Sequence, residues 1–209
     1  MANIGFCKPY IAKYTVGDDG TVSYSGGKKM AKGTSLSFSP ETSDDNVLYG
    51  DNGPAESDKE FGGGTLEVGI TELALEDAGL LLGLTVEDVT LDGEETASGT
   101  RVRFGGDTEI PYIGLGAIVT KKVNGKAKHR AVIFPKTQFA YPGDDYETKG
   151  ESITWKTPAL SASVMRDDTA AANWREWAEF DTEANAEKYI KQRLNITESS
   201  GGGTEPPAA

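Results

Sequence analysis

Apolar and polar positions alternate along most of this chain, which predicts short antiparallel strands rather than helices. The longest alternating stretch is residues 111–141, PYIGLGAIVTKKVNGKAKHRAVIFPKTQFAY, split by Asn124-Gly125. Asn-Gly between two β-rich runs predicts a two-residue type I′ hairpin, because both residues accept the positive φ that the turn demands. That turn sets Val119 opposite Arg130, Ala117 opposite Val132 and Leu115 opposite Phe134. One face then carries Ile113, Leu115, Ala117, Val119, Val132 and Phe134 at the base, and Lys121, Lys126, Lys128 and Arg130 towards the tip. The hairpin should begin in a core and end outside it. A lone hairpin is marginal in water, so its base must join more sheet.

Taken in order, residues 1–16 are extended, with Pro9 opposing a helix and Phe6, Tyr10, Ile11 and Tyr14 as bulky anchors. Asp18-Asp19-Gly20 predicts a turn that folds 21–25 back onto 10–16. Residues 32–39 and 65–71 alternate as strands. Between them, residues 41–60 keep neither period and are predicted as a long loop, which is unusual inside a compact domain without a function. At 71–84 the period becomes helical: Glu72, Glu76, Gly79 and Gly83 make a narrow stripe, and leucines and Ala78 cover most of the rest. Such a helix is buried on more than one side, either as a plain core helix or between sheet and neighbour. Residues 85–95 and 99–105 give further strands, and 152–166 gives strand pieces interrupted at Pro158. Trp174, Trp177 and Phe180 recur at i, i+3 and i+6, predicting a short amphipathic helical turn. A second helix starts near Thr182, acidic early, with Lys188, Lys191 and Arg193 late, as the helix dipole favours. Its apolar face is Ala186, Tyr189, Ile190 and Leu194. The organisation is an extended arm (1–16), one domain (17–196) containing an acidic loop (40–64), and a flexible Gly/Pro tail (197–209).

Composition sharpens this picture. Gly contributes 26 of 209 residues, nearly twice its usual share of about 7%, which suits many tight turns. A net charge of −12 argues against a protein that grips nucleic acid or an acidic membrane. One cysteine, Cys7, permits no internal disulfide and suits a reducing cytosol. No secretory leader is evident and no apolar run has bilayer length, so no membrane insertion is expected. With one histidine, His129, and one cysteine, neither a metal-ligand cluster nor a His-paired nucleophile is available. Gly62-Gly63-Gly64 precedes a strand and no Lys-Ser/Thr follows, so it is not a phosphate loop. No catalytic, metal or cofactor residue is predicted, and the chain is read as not an enzyme.

Charge is nevertheless unevenly placed. Residues 41–60 hold Glu41, Asp44, Asp45, Asp51, Glu56, Asp58 and Glu60 against Lys59 alone, with Val47, Leu48 and Tyr49 in their midst. The spacing does not fit an EF-hand, whose acids alternate before a glycine; a solvated loop or a contact arm fits better. Lys121, Lys122, Lys126, Lys128 and Arg130 crowd the hairpin tip with His129 and no acid. That tip either protects a sheet edge and keeps the protein soluble, or docks on an acidic surface. The acidic loop of another copy is the best such surface on offer, an attachment that salt would weaken.

In their order, GGKKMAKGTSLSFSPE, the acidic loop, GGGTLEVGIT, TELALEDAGLLLGL, IGLGAIVTKKVNGKAKHRAVIFPKTQFA, SITWKTPALSASVMR and WREWAEFDTEANAEKYIKQRL resemble the major tail proteins of long-tailed phages. The resemblance is to the phi13-type group of phages and prophages of Gram-positive bacteria, and it covers about residues 3–196. It implies a mainly β sandwich or partly closed barrel of antiparallel strands with a flanking buried helix and a short C-terminal helix. It also implies hexameric rings stacked into a tail tube, made in the bacterial cytoplasm and carried in the virion. Double-stranded DNA would pass through the lumen without specific binding, and an acidic lining would keep it from sticking. The implied partners are other copies of the chain and tape-measure, tail-terminator and distal tail proteins. Contact candidates are Phe6 and Tyr10 in the arm; Asp44, Asp45, Val47, Leu48, Tyr49, Asp51, Glu56 and Asp58 in the loop; Lys121, Lys122, Lys126, Lys128 and Arg130 in the tip; and Trp174 and Trp177. The alternative is a carbohydrate- or receptor-binding β-sandwich on a particle surface, with Trp155, Trp174 and Trp177 as stacking platforms. Tryptophan burial separates the two.

Overall fold

A computed structural model of the chain describes residues 3–43, 46–50, 53–91, 97–123, 125–143, 148 and 157–197. The strands are β1 (Asn3–Val16), β2 (Val22–Lys29), β3 (Gly33–Thr42), β4 (Asn46–Gly50), β5 (Gly53–Asp58), β6 (Phe61–Ile70), β7 (Val86–Leu91), β8 (Ala97–Val102), β9 (Ile113–Val123), β10 (Lys126–Phe139), β11 (Ala159–Met165) and β12 (Glu176–Phe180). Two helices, α1 (Leu75–Leu82) and α2 (Glu183–Arg193), complete the described elements. The protein is mainly β, as expected, and every strand pair is antiparallel. An eight-stranded sheet runs β2-β1-β9-β10-β11-β6-β3, with β12 also on β10, and β4–β5 and β7–β8 form two-stranded ribbons.

The predicted hairpin is the centre of that sheet. Val119 pairs with Arg130, Ala117 with Val132 and Leu115 with Phe134, in the expected register. Gly125 has φ +81, as its place in a tight turn requires; Asn124 lies outside the described residues. Along its other edge β10 is shared. His129–Ile133 pair with β12, Lys136–Phe139 pair with β11, and Pro135 between them has no N–H to offer a ladder. The sheet folds over at this point. Phe38 of β3 lies three strands from Phe134 of β10, roughly 14 Å along a flat sheet, yet their ring centres are 5.0 Å apart. At the far side Gly33 of β3 packs against the Phe6 ring of β1 so closely that a Cβ would fall 2.1 Å from it. The sheet curls into a sandwich-like fold and stops short of a closed barrel.

Inside the curl, Ile11, Leu66, Val68, Leu115, Phe134, Leu160 and Val164 form one core, with Leu81, Leu82 and Leu84 from α1 and its exit. The helix is shorter than 71–84 predicts. It ends at Gly83, whose φ of +68 gives a left-handed C-cap. The outer face of β9–β10 is also buried. Ile118, Ala131 and Ile133 pack against Ala186, Ile190 and Leu194 of α2, and the predicted apolar face of α2 is the face used. Thr182 caps α2 by accepting from the Asn185 N–H. Asn195 takes φ +49 just past its end, with Ile196 N–H donating to Lys191 O at 2.8 Å and Asn195 N–H to Gln192 O at 3.4 Å. This is a Schellman closure, which gives Asn195 a structural role.

Three expectations change. The residues 1–16 are extended, but β1 lies inside the sheet, paired to β2 and β9, so it is no free arm; Pro9, Tyr10, Ile11 and Ala12 are buried in succession, as in a central strand. The stretch 40–64 is not structureless: β3 and β6 pair out to Thr42 and Phe61, and β4–β5 continues as a hairpin. Around Trp177 the chain is a strand, β12, not a helical turn, because the free edge of β10 offers it a ladder. The tail from 198 onward lies outside the described residues. Among the described residues no helix is long and apolar enough to cross a membrane.

A bulge in β1 clamps α2. Lys8 sits there at φ +51, where the β1–β9 register slips between Cys7 and Tyr10. Its ammonium pairs with Glu183 at 2.7 Å and with Glu187. Glu187 also accepts from the Tyr10 hydroxyl at 2.6 Å and pairs with Lys191 at 2.8 Å. Burial alone would raise the Glu187 pKa, but hydrogen bonds from Lys191, Lys8 and Tyr10 reverse that and hold it at about 2, below the ordinary 4.5. A depressed carboxyl stabilises the fold above its unfolded value and loses that contribution as pH falls. Melting temperature should therefore fall between pH 4.5 and about 2. Glu187→Gln should be less stable at neutral pH and show a flatter acid limb in thermal melts.

Candidate interaction surface

At the hairpin tip the inner face of the sheet turns from apolar to charged. Lys121, Lys128 and Arg130 follow Val119 and Val132 on that face, and β12 alongside contributes Trp177 and Glu179. Glu179 is the hub. It accepts from Lys121, and from Arg130 Nε at 3.0 Å and Nη2 at 2.5 Å. These donors, Lys121 first, hold its carboxyl below the usual range. Lys128 pairs with Asp181, whose carboxyl is lowered for the same reason. Two of the tip's five positive charges are thus balanced within the chain, by Glu179 and Asp181. Lys121 is buried, and only Lys122 and Lys126 of the five predicted cations are classed as exposed.

Reversing charges along the tip should separate these roles. Lys121→Glu should set a second carboxylate against Glu179, leaving Arg130 as its remaining partner, and loosen β12, lowering the melting temperature and raising acrylamide quenching of Trp177. Lys122→Glu and Lys126→Glu should leave stability within about 0.5 kcal/mol, as exposed substitutions usually do.

The tryptophans divide. Trp174 stacks on Phe61 at 4.2 Å with the rings 8° apart, and on Phe38 at 5.7 Å, so it belongs to the inner aromatic packing. Trp177 remains 52% exposed, and two guanidinium groups lie over its ring, Arg130 at 4.3 Å and Arg175 at 4.2 Å. Trp155 lies outside the described residues. Of the other contact candidates, Phe6 is half-buried against the core and Tyr10 is buried. Val47, Leu48, Tyr49, Glu56 and Asp58 sit on the β4–β5 ribbon, with Leu48 opposite Glu56. Asp44, Asp45 and Asp51 lie outside the described residues.

Sequence reasoning passed over Arg175 and Glu179. The signal was present in REWAEF, where Trp177 and Glu179 alternate with Glu176, Ala178 and Phe180, but the helical spacing of the tryptophans masked it. The alternate set faces α2: Ala178 and Phe180 pack there, and Glu176 accepts from Tyr189 and from Arg193 Nη2 at 2.8 Å. A shallow cavity of about 320 Å³ opens beside α2, bordered by Asp167, Thr169 and Arg193. Asp167 is occupied with the Thr169 hydroxyl at 2.7 Å and the Asn173 N–H at 2.8 Å, and Arg193 with Glu176. What the geometry assembles is an exposed aromatic and cationic surface around Trp177. Neither a protein-family model nor a curated protein sequence matches the chain.

Proposed function

We propose that this chain is a structural subunit of a phage tail tube, six copies closing a ring and rings stacking into the conduit for double-stranded DNA. The single observation that carries the reading is the open sheet edge at β3. From Gly33 to Pro40 this strand bears no charged side chain, it pairs with β6 along one side only, and it continues towards a hairpin made of β4 and β5. A long edge without charged residues invites another strand unless something covers it. Ring closure covers every copy's edge at once, since a head-to-tail contact that closes leaves none over. The opposite edge, β2, is the natural counterpart. The order of elements that resembles phi13-type tail proteins supports the same reading, as does the acid excess, which suits a lumen that DNA slides through. Tape-measure, tail-terminator and distal tail proteins would then be its partners, and the virion its destination.

Light scattering of the purified protein, with negative-stain imaging, tests this. Rings or tubes of uniform diameter are the expected result. A strict monomer at millimolar concentration, even with a tail initiator supplied, would overturn the reading. No specific observation favours the sugar-binding alternative: Trp174 is taken up by Phe61 and Phe38, and the Trp177 ring carries two guanidiniums.

A further inference from the structure

On the inner face of the tip one carboxylate serves two cations. Glu179 accepts from Lys121 and from Arg130 Nε and Nη2, so one of those two positive charges is left over. Arg175, just before β12, adds another. Its guanidinium carbon lies 4.2 Å from the centre of the Trp177 ring, 4.6 Å from that of Trp174 and 5.2 Å from that of Phe38. Arg130 lies over the same Trp177 ring at 4.3 Å. The neighbouring carboxylates are already engaged. Glu176, next in sequence, turns to α2 and is held by Tyr189 and Arg193. Glu60, before the Phe61 that stacks on Trp174, pairs with Arg166. Among the described residues nothing accepts a hydrogen bond from Arg175, and none has a buried polar side-chain atom without a partner, so its N–H fork opens to solution. Burial against the rings, and then the like charge of Arg130, hold its pKa below the ordinary guanidinium value. A charge short of water and without a counter-ion is costly.

We propose that Arg175 and Arg130, over the Trp177 ring, form a binding site for a phosphate dianion, free or as the terminal group of a phosphomonoester. Charge sets the valence. Lys121, Arg130 and Arg175 against Glu179 leave two positive charges in excess, in a chain whose net charge is −12. A phosphate monoester carries about −1.5 to −2 at neutral pH and balances both. A carboxylate or a phosphodiester carries a single charge and leaves one cation over. The free donors set the shape. Arg130 spends Nε and Nη2 on Glu179, so it approaches a ligand with Nη1, while Arg175 has its whole fork to give. Donors from two guanidiniums suit a tetrahedral oxyanion, and a guanidinium pairs with phosphate through two parallel hydrogen bonds. Trp177 is 52% exposed, which leaves the part of its ring outside the guanidiniums to the organic group of a monoester. The site lies within one chain and does not rest on the tube reading.

Isothermal titration of the full chain with inorganic phosphate, at a constant ionic strength of about 0.1 M, tests the site, with circular dichroism melts to follow folding. One phosphate per chain should bind at millimolar concentration or below and raise the melting temperature. Arg175→Gln should weaken binding about tenfold or more while the melt without phosphate stays cooperative. Arg175→Lys keeps the charge and loses the fork, so its affinity should fall between the two; it also serves if the glutamine variant melts early. Lys122→Glu with Lys126→Glu changes the net charge more than Arg175→Gln does, yet should leave the affinity within about twofold, because exposed charges at a distance are screened. A nucleoside 5′-monophosphate should bind at least as well as inorganic phosphate. A dinucleoside monophosphate, whose phosphate is a diester, should bind about tenfold more weakly. Phosphate binding lost equally in the Lys122 and Lys126 reversals would mean a diffuse ion cloud and overturn the site. Equal binding of the diester would overturn the match to a dianion. A chain that forms rings or tubes but binds no phosphate would overturn the site and leave the tube reading standing, while one that binds phosphate and never assembles would do the reverse.

Discussion

Gly116→Val should cost about 2–3 kcal/mol of folding stability, measured by denaturant unfolding. A valine normally suits a strand better than glycine does, so the sign of this prediction comes entirely from what lies above the residue. A Cβ at Gly116 would sit 2.5 Å from Ile190 Cγ2 and 3.2 Å from Leu194 Cδ1. Both belong to the buried side of α2 and its cap, and Ile190 has no exposed area into which to swing. Gly114, two residues earlier on the same face, is equally confined, with Tyr24 Cε1 at 2.4 Å and Leu194 Cδ2 at 2.9 Å. The two glycines are the floor on which α2 lies. Forcing side chains into that floor should lift the helix, strip Glu187 from Lys8 and Tyr10, and expose Ile118 and Ile133. Ile190→Ala in the Gly116→Val background should recover part of the loss, a coupling of about 1 kcal/mol or more in a double-mutant cycle. Gly5→Val is the control. No atom lies within 4 Å of a Cβ built there, so that change should be close to neutral. Equal costs at Gly5 and Gly116 would mean that α2 does not rest on the sheet as described.

The same pair of glycines shows how far the sequence could be read. The hairpin register was legible because two independent local signals agreed: Asn-Gly specified the turn and the period-two pattern specified the inward face. α2 was legible from its cap, its charge gradient and its apolar stripe. The burial of the outer hairpin face was not read. IGLGAI shows small residues there, and small residues say equally well that a face is bare or that a helix lies close on it. Only the position of Ile190 decides between them. The 40–64 stretch was misread for a related reason. Acids and glycines give β4 and β5 no alternation, and their pairing is inherited from the β3–β6 ladder that they extend, which is tertiary information. At β1 the run Tyr10, Ile11, Ala12 did carry a signal, because consecutive buried positions mark a strand covered on both faces. The contact surface was legible in part. Trp177 and Arg130 drew notice by type, while Arg175 stands out through the three rings its guanidinium lies over, those of Phe38, Trp174 and Trp177, and that meeting of β3 with the start of β12 is tertiary information.

Phe134→Ala should be the most damaging single truncation, costing about 3–5 kcal/mol. Phe134 is 1% exposed and stands on β10 immediately before Pro135, where the strand passes its edge from β12 to β11 and the sheet turns over. Its ring meets Phe38 of the opposite half at 5.0 Å, and Phe38 passes the contact to Trp174, which stacks on Phe61. This column of rings is a direct side-chain bridge between the β9–β10 half and the β3–β6 half. Removing its first member opens a cavity where both walls are strands held by their own ladders, so collapse to fill it is hindered. Phe134→Leu keeps most of the volume and should cost closer to 1 kcal/mol. Trp174→Ala removes more atoms from a half-buried site and should fall between the two. Trp177→Phe lies outside the column and should leave the midpoint of unfolding nearly unchanged. If Phe134→Ala lost less than about 1 kcal/mol, or if Trp177 proved more costly to change than Phe134, the curl of the sheet could not depend on this column. The β3 edge would then no longer be held where a neighbouring copy could pair with it, because the position of β3 relative to β10 is what the column fixes.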